Sequence, residues 1–263
     1  MPPPELTYER ATGIIDTTLF YVNHGLSNKH LSSIKDIPFP EDASTASKLV
    51  GKWQKMMEAH FSTQVTVLTA LGYPQSEQGL QIYNGQLQQL MSSAAPGEQE
   101  KLRVGSRDLW RTTLGHTFGM PRPNDPEANP GNKVMGVKEE LGVVEARDVM
   151  YQVSQKMLDP AFLDVVTTEC AGILPTDVHL KHTKLQELML GHVYLGGAEG
   201  GGSGDLLDKF DEDGEKAYVI LQALIAEHQS DPLISQYIGS SMMKILEKAG
   251  LDQATIAKQA GAQ

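Results

Sequence analysis

The stretch LVGKWQKMMEAHFSTQVTVLTAL, residues 49–71, decides the fold class of this chain. Its apolar positions recur every three or four residues, and one polar residue shares their face; the set is Val50, Trp53, Met57, Phe61, Gln64, Leu68 and Leu71. This spacing is typical of one face of an α-helix. Ser44 or Thr45 can cap the beginning of the helix, and residues 72–74, Gly-Tyr-Pro, can end it. The stretch therefore predicts a long amphipathic helix with these positions turned inward.

The same helical period recurs further along the chain. It predicts further helices over residues 107–118, 146–157, 177–195, 215–228 and 233–246. Gly119 and Gly250 follow the first and last of these segments, as glycines often do at helix ends. Because no stretch of four or more residues alternates convincingly between apolar and polar side chains, the predicted fold class is all-α.

A proline-rich break lies near the middle of the chain. Residues 120–132, MPRPNDPEANPGN, contain four prolines and cannot continue a helix or sit inside a sheet. The sequence therefore predicts two consecutive helical domains, 1–119 and 137–263, joined by a linker over 120–136 that is either a solvated hinge or an extended docking element.

Charge is distributed unequally between the two halves. Residues 1–131 hold 11 basic and 13 acidic groups, a net charge of -2, whereas residues 132–263 hold 11 basic and 20 acidic groups, a net charge of -9. We expect a cationic partner to prefer the acidic second half.

Composition excludes several classes of protein. An acidic chain of net charge -11 without a basic block argues against nucleic-acid binding, and no apolar run approaches the roughly 20 residues that span a bilayer. The single cysteine, Cys170, excludes a disulfide scaffold, and no signal peptide is visible at the beginning of the chain. We expect a cytoplasmic protein without membrane insertion, whose partners are other protein subunits.

The histidines do not form a recognised metal motif. His179, His182 and His192 share one predicted helix, but no fourth ligand stands at a familiar spacing, and no glutamate lies three residues before a histidine. Residues 208–215 resemble a calcium loop, yet Lys209 and Ile220 occupy the first and twelfth positions, where carboxylates are needed. No metal site is predicted.

Catalytic motifs are also missing. The chain has no Gly-x-Ser-x-Gly, and Cys170 has no histidine placed by a known signature. The glycine-rich residues 196–202 follow a predicted helix rather than a strand, which is the wrong context for a phosphate-binding loop. No catalytic residues are predicted.

One family pattern recurs in each half. The first half has Phe20-Tyr21, then a long helix ending at residues 71–74, LGYP, then residues 83–86, YNGQ; the second half has Tyr151, then residues 158–160, LDP, then a helix ending at residues 195–197, LGG. This order resembles the truncated haemoglobins, in which an aromatic pair precedes a helix ending in Leu-Gly-Gly-Pro and a Tyr-x-Gly-Arg turn. The resemblance implies two globin-like domains in tandem.

The resemblance also implies where a cofactor would lie. His60, His182 and His192 stand on the segments that line the distal side of the haem pocket in that family, so they are the candidate cofactor-binding residues. The family's proximal histidine is missing, because Met91 and Ser92 stand in its place and residues 200–218 contain no histidine. Haem iron needs an axial ligand. Haem is therefore possible, but no cofactor is expected.

Three functions stay open at this point. The first is a non-catalytic tandem helical protein that acts as an interaction subunit or adaptor, favoured by the absence of a complete catalytic set. The second is a globin-like protein that binds haem or another tetrapyrrole through unusual ligation, for gas binding or sensing. The third is a helical enzyme or ligand carrier with an apolar pocket that follows no recognised motif.

Overall fold

The computed structural model describes residues 3–120, 142–174, 176–195, 214–228 and 231–251. Within these ranges the chain forms helices and no strand, so the predicted all-α class is confirmed. The elements are α1 Tyr8–Asn23, α2 Gly25–Ile34, α3 Thr45–Ala70, α4 Glu77–Ser93, α5 Pro96–Phe118, α6 Val143–Met157, α7 Pro160–Ala171, α8 Val178–Leu188, a π-helical segment Met189–Tyr194, α9 Gly214–His228 and α10 Pro232–Lys248. No helix in the described ranges is both long enough and apolar enough to cross a membrane.

The chain divides into two compact units. The first unit comprises Met1–Pro38 with Lys52–Lys138, and the second comprises Phe39–Gly51 with Glu139–Gln263. This grouping differs from the predicted division in one respect, because Phe39–Gly51 belongs to the second unit although it lies in the first half of the sequence. Nearly all of the predicted linker, 120–136, lies outside the described residues.

The first unit packs around α1 and α5, and α2 contacts both of these helices. An apolar cluster joins α1, the end of α3, α4 and α5; its buried members are Leu6, Ala11, Ile14, Ile15, Val67, Leu68, Tyr73, Leu80, Tyr83 and Leu102. The Thr7 hydroxyl caps α1 by accepting a hydrogen bond from the Arg10 amide. The Arg10 guanidinium in turn donates to the Leu71 carbonyl just after α3, which ties the beginning of one helix to the end of another.

Helix α5 is much longer than predicted at its beginning and ends where predicted. Pro96 occupies the first turn, where a missing amide hydrogen is tolerated. Gly119 adopts φ 68°, a left-handed conformation that glycine allows at a helix end. The buried face of α5 is rich in threonine, and Thr113 and Thr117 each donate to the carbonyl four residues earlier.

Helix α3 has the predicted extent, but part of its predicted inner face is wrong. Phe61 is 43% exposed, whereas Met56, Ala59 and His60 are buried. The inner stripe is therefore displaced by about one residue in the middle of the helix. This displaced stripe includes the polar side chains through which α3 contacts its neighbours. The Thr63 hydroxyl, for example, hydrogen-bonds to the Ser27 hydroxyl of α2 at 3.0 Å. Such contacts do not show in a hydrophobic pattern.

In the second unit, α6 packs against α10, and α7 contacts both α8 and α10. Aspartates cap three of its helices: Asp159 accepts from the first turn of α7, Asp177 from that of α8 and Asp231 from that of α10. Asp231 also accepts from Arg147 of α6 at 2.6 Å. The same carboxylate thus caps the beginning of α10 and joins α10 to α6.

The buried polar groups among these helices include a lysine amine and a cysteine thiol. Lys181 of α8 is buried and donates to the Ala249 carbonyl at the end of α10, at 3.1 Å. Cys170 of α7 is a free, buried thiol, and burial raises its pKa. Neither is a reactive surface group.

Four helices, α1, α2, α4 and α7, were not predicted from the hydrophobic period. The family resemblance places residues 83–86 in a turn, but they lie in the middle of α4. The predicted helix over 177–195 is α8 followed by the π-helical segment, and its expected end at Gly196 and Gly197 lies outside the described residues.

Candidate functional site

A cavity of about 160 Å³ lies among four helices of the first unit. Helices α1, α3, α4 and α5 each contribute to its wall, and the lining side chains are Ile14, Ile15, Thr18, His60, Gln64, Tyr83, Asn84, Leu87, Ser106, Leu109 and Trp110. The lining residues of all four helices belong to the first unit, since α3 contributes only residues after Lys52, and the core cluster described above holds this wall.

The larger part of the wall is apolar. Ile14, Ile15 and Leu109 are buried, and Leu87 and Trp110 are half-buried beside them. An apolar cavity of roughly 150 Å³ holds a molecule the size of benzene. The cavity therefore has room for a small ring or a short aliphatic ligand.

The polar part of the wall carries no Asp, Glu, Lys or Arg. Its members are hydroxyl, amide and imidazole groups. Of these, Asn84 and Ser106 are exposed, so the cavity reaches solvent where α4 and α5 present these two residues. Since an isolated charge is costly to remove from water, a wall without a counter-charge favours an uncharged ligand.

His60 of α3 supplies the most deeply placed ring nitrogen of this wall. The side chain is 6% exposed, and its Nδ1 lies 3.2 Å from the Thr113 hydroxyl of α5. The Trp110 ring packs edge-on against the imidazole, with ring centroids 5.8 Å apart. Burial lowers the pKa of His60 to about 4, which keeps the imidazole neutral near pH 7.

Tyr83 of α4 is the second buried polar ring of the wall. Its pKa lies well above the usual range, first because of burial and then because of the neighbouring Tyr73 hydroxyl. The two tyrosine rings meet edge to face at 6.1 Å. Tyr73 donates to Gln86 at 2.9 Å, and Gln86 donates to the Pro4 carbonyl, so this part of the wall is tied to the beginning of the chain.

Thr18 of α1 is fully buried at the wall. Its hydroxyl donates to the Ile14 carbonyl at 2.7 Å, which occupies its one proton and leaves lone pairs on the oxygen. Gln64, one turn after His60, makes no hydrogen bond to any residue in the described ranges. The wall thus offers several groups to which a ligand could hydrogen-bond.

The predicted site residues lie in different places. His60 lines the cavity of the first unit. His182 in α8 and His192 in the π-helical segment belong to the second unit, and both side chains are exposed. The His192 ring lies 5.8 Å from that of Phe162. Across the part of the chain that the structure describes, no three His, Cys, Asp or Glu side chains come together as metal ligands.

Haem does not fit the residues around His60. A cavity of about 160 Å³ holds a molecule the size of benzene, whereas haem carries four pyrrole rings around its iron. Met91, which stands in the place of the family's iron ligand, is partly buried against the apolar core cluster rather than among the lining residues.

Comparison with protein-family models, with characterised proteins and with solved structures finds no match to this chain. The site must therefore be interpreted from its own residues. Reasoning from the sequence selected His60 but missed its neighbours, because Thr18, Tyr83 and Trp110 come from separate helices that meet only in the folded unit. The spacing of Ile14, Ile15 and Thr18 on one face of α1 was an available signal.

Proposed function

We propose that this protein binds a small, uncharged and mainly apolar molecule in the cavity of its first unit. This is the ligand-carrier alternative drawn from the sequence. The observation that supports it best is the cavity itself, of about 160 Å³, bounded by four helices and lined by apolar and uncharged polar side chains. Because the cavity opens to solvent at Asn84 and Ser106, a small molecule can enter it, and binding would remove the apolar part of its wall from water.

The expected affinity follows from the size of the ligand. A molecule of about seven non-hydrogen atoms gains roughly 4–5.5 kcal/mol on binding, which corresponds to a Kd of about 0.1–1 mM. Toluene is a suitable probe, since it has this size and no polar group.

Both tryptophans of the chain, Trp53 and Trp110, lie in the first unit, with ring centroids 5.8 Å apart. Trp110 lines the cavity. Titration of the full chain with toluene should shift the indole N–H signal of Trp110 in a ¹H–¹⁵N NMR spectrum, with saturation in the range given above.

A matched pair of substitutions tests the location. Leu87→Phe places extra carbons into the cavity and should abolish toluene binding. Leu26→Phe makes the same change at a side chain that is 85% exposed on α2 of the same unit, and it should leave binding unaltered. Saturable toluene binding that survives Leu87→Phe would show that the cavity is not the site.

A second candidate function is the interaction subunit that the absence of catalytic motifs suggested. Its support is an exposed ridge where α1 meets α2, formed by Phe20, Tyr21, His24 and Leu26. Phe20 is 59% exposed, and its ring stacks on that of His24 at 4.6 Å. Exposed apolar side chains that cluster in this way are common at protein interfaces.

Photo-crosslinking in cells tests this second candidate. A photoreactive amino acid in place of Leu26 should give one discrete crosslinked species. The same reagent at Glu9, which is exposed at the opposite end of α1 and away from the ridge, is the control. Equal, diffuse crosslinking from both positions would contradict a specific interface at the ridge.

A further inference from the structure

The two nitrogens of His60 have different surroundings. Nδ1 lies 3.2 Å from the Thr113 hydroxyl, and Thr113 does not line the cavity whereas His60 does. The ring therefore reaches the cavity through the edge away from Nδ1, which carries Nε2. In the described part of the chain, Nε2 has no hydrogen-bond partner, although the side chain is more than nine-tenths buried.

The Thr113 hydroxyl determines which nitrogen of His60 carries the proton. Thr113 Oγ1 lies 2.9 Å from the Leu109 carbonyl oxygen. A carbonyl oxygen only accepts, so the single hydroxyl proton of Thr113 is donated to Leu109. Toward His60, Thr113 can then only accept, which requires a proton on Nδ1.

It follows that Nε2 carries a lone pair and no proton. A neutral imidazole has one N–H, and burial holds the pKa of His60 far enough below neutrality to keep the ring uncharged. Thr18 contributes a second acceptor in the same wall, because its proton is donated to the Ile14 carbonyl. Two acceptors on largely buried side chains thus line a cavity that has no charged side chain in its wall.

We propose that the ligand of this cavity is an uncharged molecule of about benzene size that donates an O–H or N–H hydrogen bond to His60 Nε2, and that Thr113 sets this preference by holding His60 as the Nδ1–H tautomer. This inference rests on the proposed function. His60 is the binding residue, and Thr113 is a positioning residue. His60 Nε2 has no protein partner and is not fully closed off from solvent, so a ligand that donates to it replaces water there with a hydrogen bond, which an apolar ligand of the same size cannot do.

Three probes of similar size, used at pH 7.5, test whether the cavity prefers a hydrogen-bond donor. Phenol can donate a hydrogen bond, toluene can neither donate nor accept one, and pyridine can only accept one. Binding of each to the full chain is followed through the Trp110 indole signal. We expect His60→Leu to weaken the affinity for phenol by about tenfold relative to the affinity for toluene. A factor of this size corresponds to the loss of one hydrogen bond. The same phenol-to-toluene ratio in the wild type and in His60→Leu would overturn the proposal.

Thr113→Val tests the positioning role, since it keeps the shape of the side chain and removes the hydroxyl. The ring can then carry its proton on Nε2, and we expect the preference to move from phenol toward pyridine. Thr113→Ser retains the hydroxyl and should restore the phenol preference. An unaltered preference in Thr113→Val would exclude the tautomer mechanism.

A measurement on the wild type keeps the proposal testable even if a variant fails to fold. The ¹⁵N chemical shifts of His60 distinguish the two neutral tautomers, and an Nε2–H tautomer would overturn the inference. If none of the three probes binds, the proposed function fails together with this inference. If toluene binds and the ratio of the affinities for phenol and toluene is the same in the wild type and in His60→Leu, only the proposed donor preference fails.

Discussion

The inward faces of α3 and α5 in the first unit carry hydroxyl groups and an imidazole, whereas the described buried side chains of α9 in the second unit are all aliphatic. In α5 the threonines donate to carbonyls of their own helix, at 2.9 Å for both Thr113 and Thr117. Such local bonds satisfy the donor and leave acceptor lone pairs available.

The difference shows two ways of using a helical core. In the second unit, side chains such as Leu221 and Leu224 are packed to full burial and stabilise the unit through apolar contact. In the first unit, the same helical architecture includes a cavity whose polar groups are uncharged and partly unpaired. The closely packed core of the second unit confers stability, whereas the core of the first unit leaves room for a ligand.

The largest expected effect is the pH dependence of stability that His60 gives the first unit. The pKa of His60 is about 4 in the folded protein and about 6.5 when unfolded. Between these values the unfolded chain takes up a proton that the folded protein does not. Stability is therefore lost as pH falls from about 6.5 to about 4, by roughly 3 kcal/mol.

Urea unfolding followed by tryptophan fluorescence measures this loss, because both tryptophans report on the first unit. His60→Leu should remove the His60 part of the pH dependence. His30→Leu, at an exposed position on α2, should retain it. If the free energy of unfolding fell equally steeply with pH in the two variants between pH 6.5 and 4, the burial of a neutral imidazole at His60 would be contradicted.

The sequence predicted the helical class but not the cavity. Periodicity and the glycines at 119 and 250 were sufficient for six of the helices, since helix ends have local chemical signals. The inner face of α3 was partly misplaced because hydrophobic patterns rank side chains by type. Burial of His60 and Thr63 depends instead on partners in α5 and α2 that are distant in the sequence.

Helix α4 was missed for a different reason. Leu80, Tyr83, Leu87, Leu90 and Met91 recur at three- and four-residue steps and pack onto the core cluster, so the helical period was present in the sequence. The family resemblance instead placed residues 83–86 in a turn. Of the three histidines that the sequence singled out, only His60 lies beside a described cavity. No recognised motif distinguishes it from His182, which also lies on a predicted helix but has an exposed side chain.

The next effect in size sharpens the contrast in packing. Leu221→Phe should destabilise the second unit by about 2 kcal/mol, since Leu221 is fully buried among close neighbours. Leu87→Phe adds the same atoms beside the cavity and should be neutral or stabilise by up to about 1 kcal/mol. Circular dichroism during urea unfolding, together with tryptophan fluorescence for the first unit, compares the two variants. Equal losses would mean that the first unit is as closely packed as the second.

The smallest expected effect separates the two roles of threonine within α5. Thr113 and Thr117 are both fully buried and both donate to a carbonyl four residues earlier. Thr113 has a second contact, to His60 Nδ1, and its loss leaves a buried polar group unpaired. Thr113→Val should therefore destabilise the first unit by about 1 kcal/mol more than Thr117→Val, measured by fluorescence-detected urea unfolding at pH 7.5. If Thr117→Val were the more harmful change, the hydroxyl of Thr113 would have no special part in holding His60, and the contrast between the two cores would reduce to one of packing.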